Sequence, residues 1–289
     1  MSILNANRNK ALAAVTNSGF RLRYVSPQFK RDREIVLAAV TDQGLALQYA
    51  SPELHNDHQI VLAAIRENSI ALQYASPELQ NDREIVLAAI NKNSRALEYT
   101  SPELRNDRNF ILDVVNNHGY ALQYVSPEFR NDRGIVLAAI NNFGSALRFA
   151  SLELRNNRNF ILDAVTNRGI ALRHASPELQ NDRDIVLAAV NNNGEAIQYA
   201  SSELQNDREI VLVAVTRNGL ALRYASSEFQ NDREIVLAAI KQNINVLNYV
   251  NQNLFNSWNS KKIYLLLRDM SNNDNILHDN IIKLITRFL

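Results

Sequence analysis

The stretch ALQYASPEL at residues 46–54 returns letter for letter at 71–79. Edited copies follow as ALEYTSPEL from Ala96, ALQYVSPEF from Ala121, ALRFASLEL from Ala146 and ALRHASPEL from Ala171, each 25 residues after the last. A fixed period of roughly 20–50 residues marks an array of stacked units rather than one or two ordinary domains. With Asn56 as its first residue, one unit reads NDHQIVLAAIRENSIALQYASPELQ and ends at Gln80. Units begin at 6, 31, 56, 81, 106, 131, 156, 181, 206 and 231. The first and tenth are degenerate: Lys10 takes the usual Ile position, and NQNLF replaces SPELQ at 251–255. Outer units differ in this way because one of their faces meets no neighbour.

Each unit reads as two helices. NDREIVLAAINKN (81–93) opens on Asn81 or Asp82 as N-cap, with Glu84 placed as a capping-box partner of Asn81. The unbroken apolar run Ile85 to Ile90 spans the whole helix circumference, which predicts burial on most sides. Gly44, Gly119, Gly144, Gly169, Gly194 and Gly219 mark the break that follows, where a C-cap glycine would relieve left-handed strain. Asn68, Ser69, Asn93 and Ser94 fill that region in two units. A shorter helix, Ala71 to Ala75, comes next, and Ser76 caps a further turn with Pro77 at its first position. The expected fold is all-α: a right-handed α-solenoid of ten 25-residue two-helix repeats over residues 6–255, with a C-terminal helical cap over 256–289. That cap would be two amphipathic helices, SKKIYLLLRDM (260–270) and NDNILHDNIIKLITRFL (273–289).

Composition bounds the chemistry. With 31 basic and 30 acidic residues, the net charge of +1 gives no global drive toward nucleic acid or anionic lipid. There is no cysteine, which removes disulfides, thiolate nucleophiles and cysteine metal sites. MSILNANRNK lacks the apolar core of a signal peptide, and no run reaches the ~18 apolar residues of a membrane span. A cytoplasmic monomer is expected.

The recurring NDREIVLAAI…NG.ALQYASPEL resembles the repeat of the domain of unknown function 4116 family. The resemblance covers residues 6–255 and rests on D-R-E-(I/V)-V-L-A-A-(I/V) followed by A-L-(Q/R)-Y-A-S-(P/S)-E-L. That family occurs largely in intracellular bacteria of eukaryotic hosts, often alongside candidate secreted effectors. The resemblance therefore implies a helical repeat, host-directed binding, and secretion into a host cell without a classical signal peptide. It brings no catalytic residue with it. Leu152, Ser202, Ser227 and Gln252 depart from the pattern at its Pro position, and Phe149 and His174 at its Tyr position.

In an array, matched positions form columns. The Tyr column (Tyr24, Tyr49, Tyr74, Tyr99, Tyr124, Phe149, His174, Tyr199, Tyr224, Tyr249) could stack bases, but fits a packed ring better, since Phe149 dispenses with the hydroxyl. The Arg column from Arg8 to Arg233 could bind phosphates. An Asp column from Asp32 and a Glu column from Glu53 match it unit for unit, so interlocked Arg–carboxylate ladders explain all three. Columns that vary are free for a partner. Units four to seven carry extra Arg with aromatic neighbours, and the candidate partner-binding residues are Arg105, Tyr120, Arg130, Phe143, Arg148, Arg155 and Arg173. The first unit has Arg8, Lys10, Arg21, Arg23 and Lys30 with no acid, a polarity able to orient an acidic partner.

Catalytic signatures are missing. Asp113 and Asp163 are two units apart, too far for a carboxylate dyad. His55 and His58 find no third ligand type, so no metal is expected. No Gly-rich phosphate loop, HExxH or serine-nucleophile motif is present, and no cofactor is implied. The function expected is a non-enzymatic scaffold for a protein or peptide partner, with single-stranded RNA binding as the alternative. Near-zero net charge argues against nucleic acid.

Overall fold

A computed structural model of the chain describes residues 7–243 and 245–246, and among these there are helices and turns but no strand. The chain forms two compact units, Met1–Ser151 and Leu152–Leu289. The expected cap at 256–289 lies outside the described residues.

Three helical segments build a repeat, as Arg83–Lys92, Ser94–Tyr99 and Pro102–Asn106 illustrate. The first is a ten-residue α-helix; the second is a six-residue 3₁₀ helix rather than a second α-helix. The third is a single closing turn with Pro102 at its start, where a missing N–H costs nothing. Asp82, not Asn81, is the N-cap of the long helix: its carboxylate accepts from the N–H groups of Glu84 and Ile85 at 2.9 and 3.0 Å. Asn81 instead ties the start of its repeat to the closing turn, accepting from the Ser101 hydroxyl at 2.5 Å. Ser76 does the same to Asn56 at 2.7 Å.

The glycines after the long helix do not relieve left-handed strain, because no described residue has a positive φ. Their reason is a neighbour one repeat away. A Cβ on Gly44 would overlap the carbonyl oxygen of Ala64, and one on Gly119 that of Ala139. At Gly19, Gly119 and Gly169 the bare backbone lets the 3₁₀ helix lie against the end of the next long helix, whose last residue then receives the first N–H; Ser69 and Ser94 start two of the other 3₁₀ helices. Gly19 donates to Asp42 Oδ2, Gly119 to Asn142 Oδ1 and Gly169 to Asn192 Oδ1, each at 2.8 Å. Such bonds satisfy donors that a helix start leaves open.

Burial is narrower than the six-residue apolar run implies. Ile85, Val86, Ala89 and Ile90 are buried, with Ala96, Leu97 and Leu104 closing the core from the other two segments. Leu87 and Ala88 are only half-buried, and Leu137, in the same place two repeats on, is too. The long helix thus buries the two sides that meet its own 3₁₀ helix and the adjoining repeats and leaves a third side at the surface. Within each unit, long helices and 3₁₀ helices contact their counterparts in adjacent repeats, so stability is shared through these junctions.

Candidate partner-binding face

Two edges of the repeat carry the polar chemistry. Along the first, Arg at the start of a long helix reaches the next repeat, with His58 in its place on His58–Glu67. Arg8 donates from Nε to Asp32 Oδ2 at 2.6 Å and from Nη2 to Glu34 at 2.6 Å. Arg108 forks onto both oxygens of Asp132 at 2.8 and 3.0 Å, and Arg158 reaches Asp182 and Asp184 at 2.6 and 2.7 Å. The same Asp also caps its own helix, so one carboxylate joins local and inter-repeat order. The bond from Arg8 holds the Asp32 carboxyl below the usual carboxylate range, and Arg108 does so for Asp132.

The second carboxylate of this ladder is the helical Glu34 type, not the Glu column of the closing turn. Glu53 comes no nearer than 3.9 Å to Arg31. Glu128 is exposed and held low by its own backbone N–H and the Ser126 hydroxyl. Asp113 joins the Arg side: it pairs with Arg83 at 3.2 Å.

The unit-ending column is also occupied from within. Gln80 Nε2 donates to the carbonyls of Leu72, Gln73 and Ala75 at 3.1 to 3.2 Å, closing the open end of its 3₁₀ helix. Gln205 repeats this on Ile197, Gln198 and Ala200, and His55 Nε2 pairs with the Leu47 carbonyl at 2.9 Å. Arg105, Arg130 and Arg155 stand in this column. Arg105 is exposed, whereas Arg130 and Arg155 are half-buried with their Nε atoms enclosed.

The second edge is the face of the 3₁₀ helices. Tyr120 is the second residue of Gly119–Tyr124, and it meets four aromatic or cationic neighbours. Its ring centroid lies 5.3 Å from Phe149, 6.2 Å from Phe143 and 6.4 Å from Tyr124, all edge to face. The Arg148 guanidinium carbon sits 5.4 Å from the Tyr120 centroid and 4.4 Å from that of Phe149. Beside them Arg95 Nε pairs with Glu98 at 2.9 Å. Burial pushes the Tyr124 phenol up, and Tyr120 and Glu98 add to this. Tyr120 and Phe143 stay 43% and 39% exposed, a large apolar area for surface aromatics.

Of the sequence-derived candidates, Tyr120, Phe143 and Arg148 come together in the first unit. Arg173 lies in the second, its guanidinium carbon 5.8 Å from the Tyr199 centroid. Tyr124, Phe149, Arg95 and Glu98 complete the cluster without having been singled out for it. Their signal was present: Tyr124 and Phe149 share the Tyr column, and Arg95 shares the column of Tyr120. Among the described residues no group of three or more His, Cys, Asp or Glu side chains is placed to hold a metal. No described helix is long and apolar enough to cross a membrane.

A family model described as "Domain of unknown function (DUF4116)" matches nine overlapping windows, from 7–55 through 32–80 and onward to 207–255. Together they tile residues 7–255 in steps of 25. No curated protein and no solved structure matches the chain.

Proposed function

We propose that this chain, which belongs to the DUF4116 repeat family, is a non-enzymatic scaffold binding a protein or peptide partner on the face of its 3₁₀ helices. The observation that carries this is the cluster of exposed Tyr120, Phe143 and Arg148 on half-buried Phe149. Interface hot spots favour Tyr and Arg held in place by neighbours, since little side-chain entropy is then lost on binding. The edge-to-face contacts and the overlying guanidinium supply that order before any partner arrives. A monomeric solenoid of ten repeats closed by residues 256–289 belongs to the same reading, supported by the unbroken period. A eukaryotic host protein is the partner class that the resemblance implies.

Affinity capture from eukaryotic lysate, with and without ribonuclease, tests this. The protein is compared with a Tyr120→Ala/Arg148→Glu variant. A discrete protein that survives ribonuclease, disappears with the double variant and rebinds when purified is the expected result. Recovery of RNA that falls away as salt rises would replace the protein reading with the nucleic-acid one.

A further inference from the structure

The first two repeats hold an open groove of about 410 Å³ on the same 3₁₀ face. Its apolar walls are Phe20, Tyr24 and Tyr49, and its charged lining is Arg21 and Arg23. Phe20 meets Tyr49 edge to face at 6.4 Å, and Arg23 lies 5.8 Å from the Tyr24 centroid. The wall is fixed from behind: the Gly19 N–H donates to Asp42 and the Phe20 N–H to Gln43 Oε1, both at 2.8 Å.

No carboxylate lines this groove. Arg8, in the same repeat, is engaged by Asp32 and Glu34, but Arg21 and Arg23 are exposed and meet no carboxylate among the described residues. The groove therefore joins exposed aromatic surface, Tyr24 being 59% exposed, to two uncompensated cations. That pairing suits a ligand with an apolar side chain flanked by negative charge.

We propose that this groove is a second docking site, for an acidic peptide segment that inserts an apolar or aromatic side chain between Phe20, Tyr24 and Tyr49 and sets its carboxylates against Arg21 and Arg23. A peptide fits better than a nucleic-acid strand. Phosphate-backbone binding needs a run of cations, yet the next residues in the column of Phe20 are Leu45 and Ile70, half-buried and apolar. The chain's net charge of +1 offers no wider basic field. This site stands on its own residues and does not depend on the Tyr120 cluster.

Fluorescence anisotropy of the full chain tests the site, using a short fluorescein-labelled peptide rich in glutamate around one tryptophan. Saturable binding is expected, weakened about tenfold in an Arg21→Gln/Arg23→Gln variant. A similar loss is expected for a counterpart peptide carrying glutamine in place of every glutamate. A Tyr120→Ala variant should bind the acidic peptide as the unaltered protein does, and the urea midpoint of the Arg variant should be unchanged. Absence of saturable binding, or binding indifferent to the Arg pair, overturns the proposal. So does a loss confined to Tyr120→Ala, which would move the peptide to the other cluster. An oligouridylate that binds more tightly and displaces the peptide overturns it in favour of single-stranded nucleic acid.

Discussion

Arg8 and Arg23 belong to one repeat and do opposite things. Arg8 starts a long helix, faces Asp32 and Glu34 of the next repeat, and is neutralised there. Arg23 sits on the 3₁₀ helix, lies beside the Tyr24 ring and faces no described carboxylate. Arg108 and Arg148 repeat the contrast further along, one forked onto Asp132 and the other laid over Phe149 and Tyr120. A charge answered from within the array orders the stack. A charge left among aromatics is the kind we propose a partner meets. What separates the two roles is the residue that the neighbouring repeat places opposite.

Both edges share one core, and the largest effects should come from it. Ile135→Ala removes a fully buried side chain and should cost about 2–5 kcal/mol in urea unfolding. Leu137→Ala, on the half-buried side, should cost clearly less; equal losses would mean that the third side of the helix is closed after all. Next comes the joint between the edges. Gly119→Ala places a methyl against the Ala139 carbonyl and should destabilise by about 1–3 kcal/mol, although Gly119 has no unusual φ.

Separating the edges is the role of Asp132. Asp132→Ala removes a helix cap and a ladder acceptor, so a loss of about 1–2 kcal/mol is expected, with partner capture unchanged. Loss of capture at full stability would break the division of labour. Acid should act on the same edge. Asp32 and Asp132 have folded-state pKa values below the unfolded value of about 3.9, so their contribution is present above that value. It is lost as pH falls through the folded pKa. The unfolding midpoint should stay flat from pH 7 to about 5 and drop below about 4. The smallest effect concerns Gly134, which stands where Glu34 completes the fork on Arg8. Gly134→Glu should stabilise by about 0.5 kcal/mol by giving Arg108 its second acceptor.

Much of the fold was legible in the sequence, and the errors share a cause. The period, the long helix, the Ser-Pro turn and the Arg–Asp pairing all follow from the residues. Glycine at a helix end has the same local signature whether it serves a left-handed cap or a close approach from 20 residues away, so the sequence does not tell the two apart. The closing-turn Glu matches Arg in number, yet the ladder uses the helical Glu34 and Glu209 instead. The Gln80 column varies between repeats yet caps a 3₁₀ helix, so variation alone did not mark a free surface. At the candidate site, an aromatic and Arg mixture was visible as composition, but only packing chose Tyr120, Phe143 and Arg148 from it.

By itself, then, the sequence determined the repeat, its helix starts and its turns. Each of those depends on contacts within about four residues, which a local pattern encodes. Tertiary structure alone decided which charges are answered, what the glycines approach and where aromatics gather. Those depend on side chains about one repeat apart in the chain, brought to contact only by stacking.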